Sequence, residues 1–218
     1  MNELQKKIAQ IGVVPVIKLN NPTRDAKPLA DALCAGGVPV AEVTFRAAGA
    51  AEAIRIMAES HPEMLVGAGT VLTTQQVDET IAAGGKFIVT PGLDEEIVRY
   101  CQEKGITCFP GCTTPTDYHV AYKLGLEVLK FFPAEQSGGL AKIKAMSAPF
   151  PMFKVMPTGG ISLKNLKEYL FVWKVLKPPL NSNNQTVLPI LFEVKKMKVA
   201  GQSQFVQITD PDEFYGGC

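Results

Sequence analysis

The sequence has little that would bring it to a membrane or to a nucleic acid. Its formal net charge is only +1, so it lacks the strong positive field that gathers polyanions. No apolar run approaches the roughly 20 residues that a membrane helix needs. The polar N-terminus, MNELQKKIAQIG, has no apolar centre of the kind found in signal peptides. We therefore expect a cytoplasmic protein with no nucleic-acid or membrane partner.

Residues for a metal site are also scarce. The chain has five cysteines and two histidines, and no pair of cysteines has the CxxC spacing of zinc or redox motifs. Cys108 and Cys112 flank a predicted strand end, but neither histidine is near them in sequence. The cysteines are interpreted as reduced thiols that pack as small apolar side chains. No metal is predicted, and His61, in a loop before a proline, is given no role.

What the sequence does contain is an alternation of short apolar runs with amphipathic stretches. The predicted strands are residues 13–19, 40–46, 65–71, 87–90, 106–111, 128–132 and 154–158. The predicted helices are residues 24–35, 50–59, 74–83, 95–104, 116–124, 139–145 and 163–170. This alternation predicts an α/β fold with a parallel sheet. Seven βα units in series favour a closed (β/α)₈ TIM barrel, although periodicity alone leaves a doubly wound sheet open.

The repeating pattern stops near Leu170. Residues 1–170 are predicted to form the barrel, and residues 171–218 an atypical C-terminal segment in which the eighth βα unit is altered or missing. Two strand-like runs, 187–194 and 204–208, lie in that segment. Strands seven and one would keep unpaired edges unless one of these runs fills the gap between them.

A lysine interrupts the sixth predicted strand, in the stretch VLKFFP. Active sites of βα barrels lie at the C-terminal ends of the strands. Burial lowers the pKa of a lysine and frees its amine to attack carbonyl groups, so Lys130 is a candidate nucleophile. The alternative is a lysine whose stem packs while its ammonium reaches water at the rim. Composition alone favours that alternative.

Two further signals point to the same end of the barrel. Glu42 and Arg46 are four residues apart on one predicted strand, so both side chains should face the same way. A carboxylate there could move protons and a guanidinium could hold a substrate carboxylate, but an ion pair at the rim would have the same spacing. Gly159 and Gly160 follow strand seven, where backbone N–H groups can bind a phosphate, or where the chain simply makes a tight turn.

At these residues the sequence resembles the family of 2-keto-3-deoxy-6-phosphogluconate (KDPG) and 4-hydroxy-2-oxoglutarate (KHG) aldolases. The matching stretches are VVPVI, AEVTFR, VGAGTVL, FIVTPGLDEE, FPGCTTPT, LKFFPAE and MPTGGI. They come in the family's order and spacing and span residues 10 to 170. The resemblance implies a class I aldolase that releases pyruvate and an aldehyde, either glyceraldehyde 3-phosphate or glyoxylate. It also implies that no metal or other cofactor is needed, and that the protein is a homotrimer acting on a small keto acid.

The resemblance also implies a role for each candidate residue. Lys130 would form the Schiff base with the keto carbon, and Glu42 would move protons, through a water molecule. Arg46 and Thr70 would hold the carboxylate of pyruvate. The pocket around the imine would be shaped by Pro91, Phe132 and Thr158. The distal phosphate would be bound by Gly159 and Gly160.

The end of the chain departs from the family. Family members continue to an eighth strand with a Gly-Gly-Ser motif that helps to hold the phosphate, and no such motif follows Leu170. The segment could be a divergent end, a frameshifted sequence or a graft. Two other functions stay open: a non-catalytic aldolase-like binding protein, and another phosphate-binding barrel enzyme such as an epimerase or isomerase.

Overall fold

The computed structural model describes residues 1–162, 164–169 and 190–194. Eight strands are present there: β1 (Val13–Ile17), β2 (Val40–Thr44), β3 (Leu65–Gly69), β4 (Phe87–Val89), β5 (Thr107–Phe109), β6 (Val128–Phe131), β7 (Lys154–Pro157) and β8 (Ile190–Val194). The helices are α1 (Glu3–Ile11), α2 (Pro22–Ala35), α3 (Ala50–Ser60), α4 (Thr74–Ala82), α5 (Glu95–Glu103), α6 (Pro115–Lys123) and α7 (Gly139–Ser147). Residues 166–169 form a further helical turn. In this described part, no helix is long and apolar enough to cross a membrane.

The strands form a parallel barrel. Six of them pair in the order β5-β4-β3-β2-β1-β8, and β6 pairs with β7. A parallel bridge between Gly111 and Lys130 joins the end of β5 to β6, and β8 lies close to β7. The predicted (β/α)₈ barrel is therefore confirmed. The alternative, an open doubly wound sheet, is wrong.

The atypical C-terminal segment supplies the eighth strand. β8 pairs in parallel with the whole of β1, from Val13 opposite Ile190 to Ile17 opposite Val194. Residues 190–194, which belong to the strand-like run 187–194, therefore cover the free edge of β1. Residues 187–189 and the second candidate run, 204–208, lie outside the described residues.

Side chains alternate between the barrel interior and the helices. One buried cluster joins residues from strands on all sides of the barrel and therefore fills its interior; it consists of Ile8, Val14, Val16, Val40, Phe87, Val89, Phe109, Val128 and Met156. Ala41 and Val43 instead belong to the layer between the sheet and its helices. Because side chains alternate along a strand, Glu42 shares the inward face of Val40, and Lys130 that of Val128.

Helix α1 was not predicted. Asn2 caps it through a reciprocal pair of hydrogen bonds with Gln5, and the side chain of Ile8 joins the interior cluster. The Asn2 amide also donates to the hydroxyl of Thr107, at the start of β5 (2.9 Å). The helix thus closes the N-terminal end of the barrel, opposite the strand ends that carry the candidate residues. The spacing of Asn2 and Gln5 was a sequence signal for this helix.

Several predicted boundaries were wrong by a few residues. Strand β2 ends at Thr44, so Arg46 lies in the following turn and not on the strand. Helix α2 begins at Pro22 rather than at Arg24, because Asn21 caps it and proline suits its first turn. Helix α6 begins at Pro115 for the same reason, with Thr114 as its cap.

Candidate active site

Lys130 lies inside the barrel. Its residue is only 4% exposed, so the interpretation of an ammonium reaching water at the rim is wrong. The backbone on either side is fixed, because the N–H of Lys130 donates to the carbonyl of Pro110 (2.9 Å) and its carbonyl accepts from Cys112 (2.7 Å). The ammonium is 4.7 Å from the centre of the Phe132 ring, close enough for a cation–π interaction.

The pKa of Lys130 is lowered. Its main cause is burial, which disfavours the charged amine, and the positive charge of Arg46 lowers it further. The negative charge of Glu42 acts in the opposite direction and raises it. The three groups are therefore close enough to interact electrostatically, and the net effect favours the uncharged, nucleophilic amine.

Glu42 is buried, with only 1% of its residue exposed. Its carboxyl group lies directly over Gly69 of the neighbouring strand, at the place where a side chain would begin: a Cβ on Gly69 would be 2.0 Å from Oε1 of Glu42. The glycine thus makes room for a carboxyl group that points into the barrel.

Arg46 occupies a different position from the one its sequence spacing predicted. Because β2 ends at Thr44, Arg46 does not share a strand face with Glu42, and its side chain is exposed. The turn is tied to the next strand, since the N–H of Phe45 donates to the carbonyl of Gly69 (2.9 Å). Arg46 is still at the C-terminal end of the barrel, and its charge acts on Lys130.

Thr70 directly follows β3 and has a left-handed backbone conformation, with φ at 55°. This conformation is rare for a β-branched residue. Such strain costs on the order of 1–3 kcal/mol and is concentrated at functional sites. The strained residue is next to Gly69 and hence next to the carboxyl group of Glu42.

Thr158, Gly159 and Gly160 form a tight turn after β7. The hydroxyl of Thr158 is buried and has no hydrogen-bond partner among the described residues. Both glycines have positive φ, 96° and 75°. The turn is held by the N–H of Ala134, which donates to Thr158 O (2.7 Å), and by the amide of Asn165, which donates to Gly160 O (3.0 Å).

The remaining two candidates lie at the same end of the barrel. Pro91 lies two residues after the end of β4, and Phe132 directly follows β6. Gly111 links the two regions: it bridges to Lys130, and a Cβ on it would come within 2.1 Å of the Pro91 carbonyl. The close approach of β4, β5 and β6 around Lys130 therefore requires glycine at position 111.

Known proteins are similar to this chain in both sequence and fold. The family model described as KDPG and KHG aldolase matches residues 4–177. This chain belongs to that family. The 2-dehydro-3-deoxy-phosphogluconate aldolase of Haemophilus influenzae is 42% identical over 191 residues, which cover 84% of this chain and 90% of that protein. The KHG/KDPG aldolase of Escherichia coli K12 is 44% identical over 164 residues, 75% of this chain and 76% of that protein.

A solved structure extends the likeness to three dimensions. The KDPG aldolase of Legionella pneumophila, with pyruvate captured at low pH as a covalent carbinolamine intermediate, has a TM-score of 0.76 and 36% sequence identity. The likeness covers 87% of this chain and 86% of that protein. A carbinolamine is the adduct that precedes an imine when an amine attacks a ketone.

Two groups of supporting residues in this aldolase-family chain were not assigned a role from the sequence. Gly69 and Gly111 allow the close approaches around Glu42 and Lys130, and glycine at a strand end was the signal. Asn165 supports the glycine turn in two ways, because it also accepts from the N–H of Ser162 (2.8 Å). Its signal was the Ser-x-x-Asn spacing ahead of a helical stretch.

Proposed function

We propose that this protein is a class I aldolase that cleaves KDPG, KHG or both to pyruvate and an aldehyde through a Schiff base on Lys130. The aldehyde is glyceraldehyde 3-phosphate from KDPG and glyoxylate from KHG. The observation that carries the proposal is the buried amine of Lys130, whose pKa is lowered by burial and by Arg46. Membership of the KDPG and KHG aldolase family supports the same chemistry.

The reaction begins with attack of the Lys130 amine on the keto carbon of the substrate. The carbinolamine loses water and becomes a protonated imine, which withdraws electrons from the neighbouring carbon. Arg46 can hold the substrate carboxylate in a two-pronged ion pair, and the hydroxyl of Thr70 adds a hydrogen bond. Lys130 is uncharged before it attacks, so the protonated imine nitrogen carries a positive charge that the free amine did not have.

Glu42 then transfers the protons. A base removes the proton from the C4 hydroxyl, the C3–C4 bond breaks, and its electron pair forms an enamine as the iminium is neutralised. The aldehyde leaves, C3 of the enamine takes up a proton, and hydrolysis of the resulting imine releases pyruvate and the free lysine. One carboxyl group can serve both proton steps, directly or through a water molecule, if its pKa is near the working pH.

The remaining residues surround the substrate. Pro91 and Phe132 form walls of the pocket around the imine. The ring of Phe132 lies against the Lys130 amine. The buried hydroxyl of Thr158 supplies a hydrogen bond for a substrate oxygen. The N–H groups of Gly159 and Gly160 donate no hydrogen bond within the described part of the chain, and with positive φ at both residues they suit an anion such as the distal phosphate.

The test is trapping of the imine. The protein is incubated with pyruvate and borohydride, and the modified lysine is located by peptide mass spectrometry. Lys130→Ala should abolish the adduct and leave the fold intact by circular dichroism. Lys18→Ala is the matched control, because Lys18 is an exposed lysine just after β1 and its loss should leave trapping unchanged. An adduct on a different lysine would show that the nucleophile is wrongly chosen, and no adduct would favour a non-catalytic binding protein.

Assembly and compartment are part of the same proposal. We propose a homotrimer, on the basis of the family resemblance, to be checked by light scattering coupled to size exclusion. We also propose that the protein works in the cytoplasm, where thiols stay reduced; the four described cysteines, which are free thiols, support this. A monomeric mass would contradict the proposed trimer. Export of a tagged chain from the cell would contradict the proposed cytoplasmic location.

A further inference from the structure

A second group of chemically reactive side chains lies outside the barrel, between α2 and the loop that follows α3. It consists of Cys34, in the last turn of α2, His61, at the C-terminal end of α3, and Glu63, just before β3. One ligand atom from each residue lies within 4.8 Å of the ligand atoms of the other two. None of the three contributes to the proposed aldolase mechanism.

The imidazole of His61 is held in one orientation. Its Nε2 is 2.8 Å from Oδ1 of Asp31, and its Nδ1 is 3.2 Å from Oε1 of Glu63. When Asp31 accepts the proton of Nε2, the lone pair of a neutral ring is on Nδ1, beside Glu63. A carboxylate behind a histidine in this way is the usual support of a metal-bound imidazole.

The local charges also suit a divalent cation. Glu63 and Asp31 each carry a negative charge, and Asp31 is paired with Lys27 (2.9 Å). If the Cys34 thiol loses its proton, the cluster of Cys34, Glu63, Asp31 and Lys27 has a net charge of −2, which one divalent ion cancels.

We propose that Cys34, His61 and Glu63 form a zinc site that joins the end of α2 to the loop after α3. Sulfur, imidazole nitrogen and carboxylate oxygen together are a donor set that zinc prefers, and a water molecule completes the tetrahedron. Tetrahedral zinc places its ligand atoms roughly 3.3–3.8 Å apart, given bonds of about 2.0–2.3 Å. Small side-chain rotations would therefore close the site. Binding releases the thiol proton of Cys34 and any proton on Nδ1 of His61.

The site is separate from the proposed aldolase centre. Its ligands come from the outer helical layer, whereas Lys130 and Glu42 lie inside the barrel. Zinc there should stabilise the packing of α2 on α3 and leave imine trapping on Lys130 unchanged. The proposal is thus independent of the aldolase function.

Cobalt is the first probe, because a thiolate bound to Co²⁺ gives a charge-transfer absorption band. The chelator-treated, reduced protein, in a Cys218→Ser background, is titrated with Co²⁺ and then with Zn²⁺. Cys218 lies outside the described residues, and its removal eliminates a competing thiol. We expect one equivalent of Co²⁺ to produce the band and Zn²⁺ to displace it, with a rise in melting temperature that depends on Zn²⁺.

The variants separate a site from adventitious binding. Cys34→Ser should abolish the band, and His61→Gln should weaken binding by at least about tenfold, as the loss of a supporting group already costs about 10–100-fold. His119→Gln is the matched control, because His119 is the second of the two histidines and is not part of the cluster. Asp31→Asn should weaken binding without removing the band. A band that survives Cys34→Ser, or no stoichiometric band in the background protein, would overturn the proposal.

Discussion

The carboxyl group of Glu42 lies where the side chain of a residue at position 69 would begin. We therefore predict that Gly69→Ala displaces Glu42 and slows carbon–carbon cleavage while Lys130 still forms an imine with pyruvate. A misplacement of about 1 Å can cost on the order of a hundredfold in rate. The measurement is the rate of pyruvate release, compared with borohydride trapping of the same variant.

Gly92→Ala provides the control for this experiment. Gly92 is also near the mouth of the barrel, but a Cβ there would meet nothing within 4 Å. Its substitution should leave both cleavage and trapping near the wild-type values. Equal cleavage rates in the two alanine variants would mean that the position of Glu42 does not limit the reaction.

A second prediction concerns the carboxyl group itself. Glu42→Gln should still form the imine but should slow cleavage by at least about a hundredfold, the usual scale for loss of a general acid or base. Single-turnover kinetics separate imine formation from cleavage. Glu59→Gln, on the exposed end of α3, is a control that should cleave normally. Unchanged turnover in Glu42→Gln would remove this residue from the mechanism.

A third prediction concerns pH. Arg46 lowers the pKa of Lys130 and Glu42 raises it. Arg46→Gln should therefore raise that pKa, so that less of the amine is uncharged at neutral pH, and Glu42→Gln should lower it. The measurement is the rate at which a neutral aryl ester acylates Lys130, followed by mass spectrometry across pH. The midpoint should move up in the first variant and down in the second; shifts in the same direction would contradict the electrostatic picture.

A fourth prediction concerns the C-terminal segment, which lacks the family's Gly-Gly-Ser motif. A lost hydrogen bond to a charged group is worth roughly 1.5–3 kcal/mol, which corresponds to about one to two powers of ten in affinity. Replacement of residues 171–218 with a family-type ending should therefore favour KDPG, which carries a phosphate, far more than KHG. The KM values of the two substrates decide the question. An equal gain for both would show that the segment does not limit phosphate binding.

The position of Arg46 shows which features the sequence could not predict. Its spacing from Glu42 indicated a shared strand face, and this was wrong because β2 ends two residues earlier. The end of a strand depends on where neighbouring strands stop pairing and on where the next helix packs. The alternation of apolar and polar residues along the sequence specifies neither of these. The charge of Arg46 nevertheless acts on Lys130, because both residues lie at the C-terminal end of a parallel barrel.

The sequence by itself determined the alternation of strands and helices, which follows from apolar periodicity. It also determined the family motifs, and the choice of Lys130 rests on these motifs, because composition alone favoured a lysine at the rim. Only the tertiary structure decided that Lys130 is buried, that Glu42 needs Gly69, and that residues 190–194 cover the edge of β1. Burial and close approach arise between segments far apart in the chain. For the same reason Asp31, Cys34, His61 and Glu63, each unremarkable in the sequence, become one cluster when α2 packs on α3.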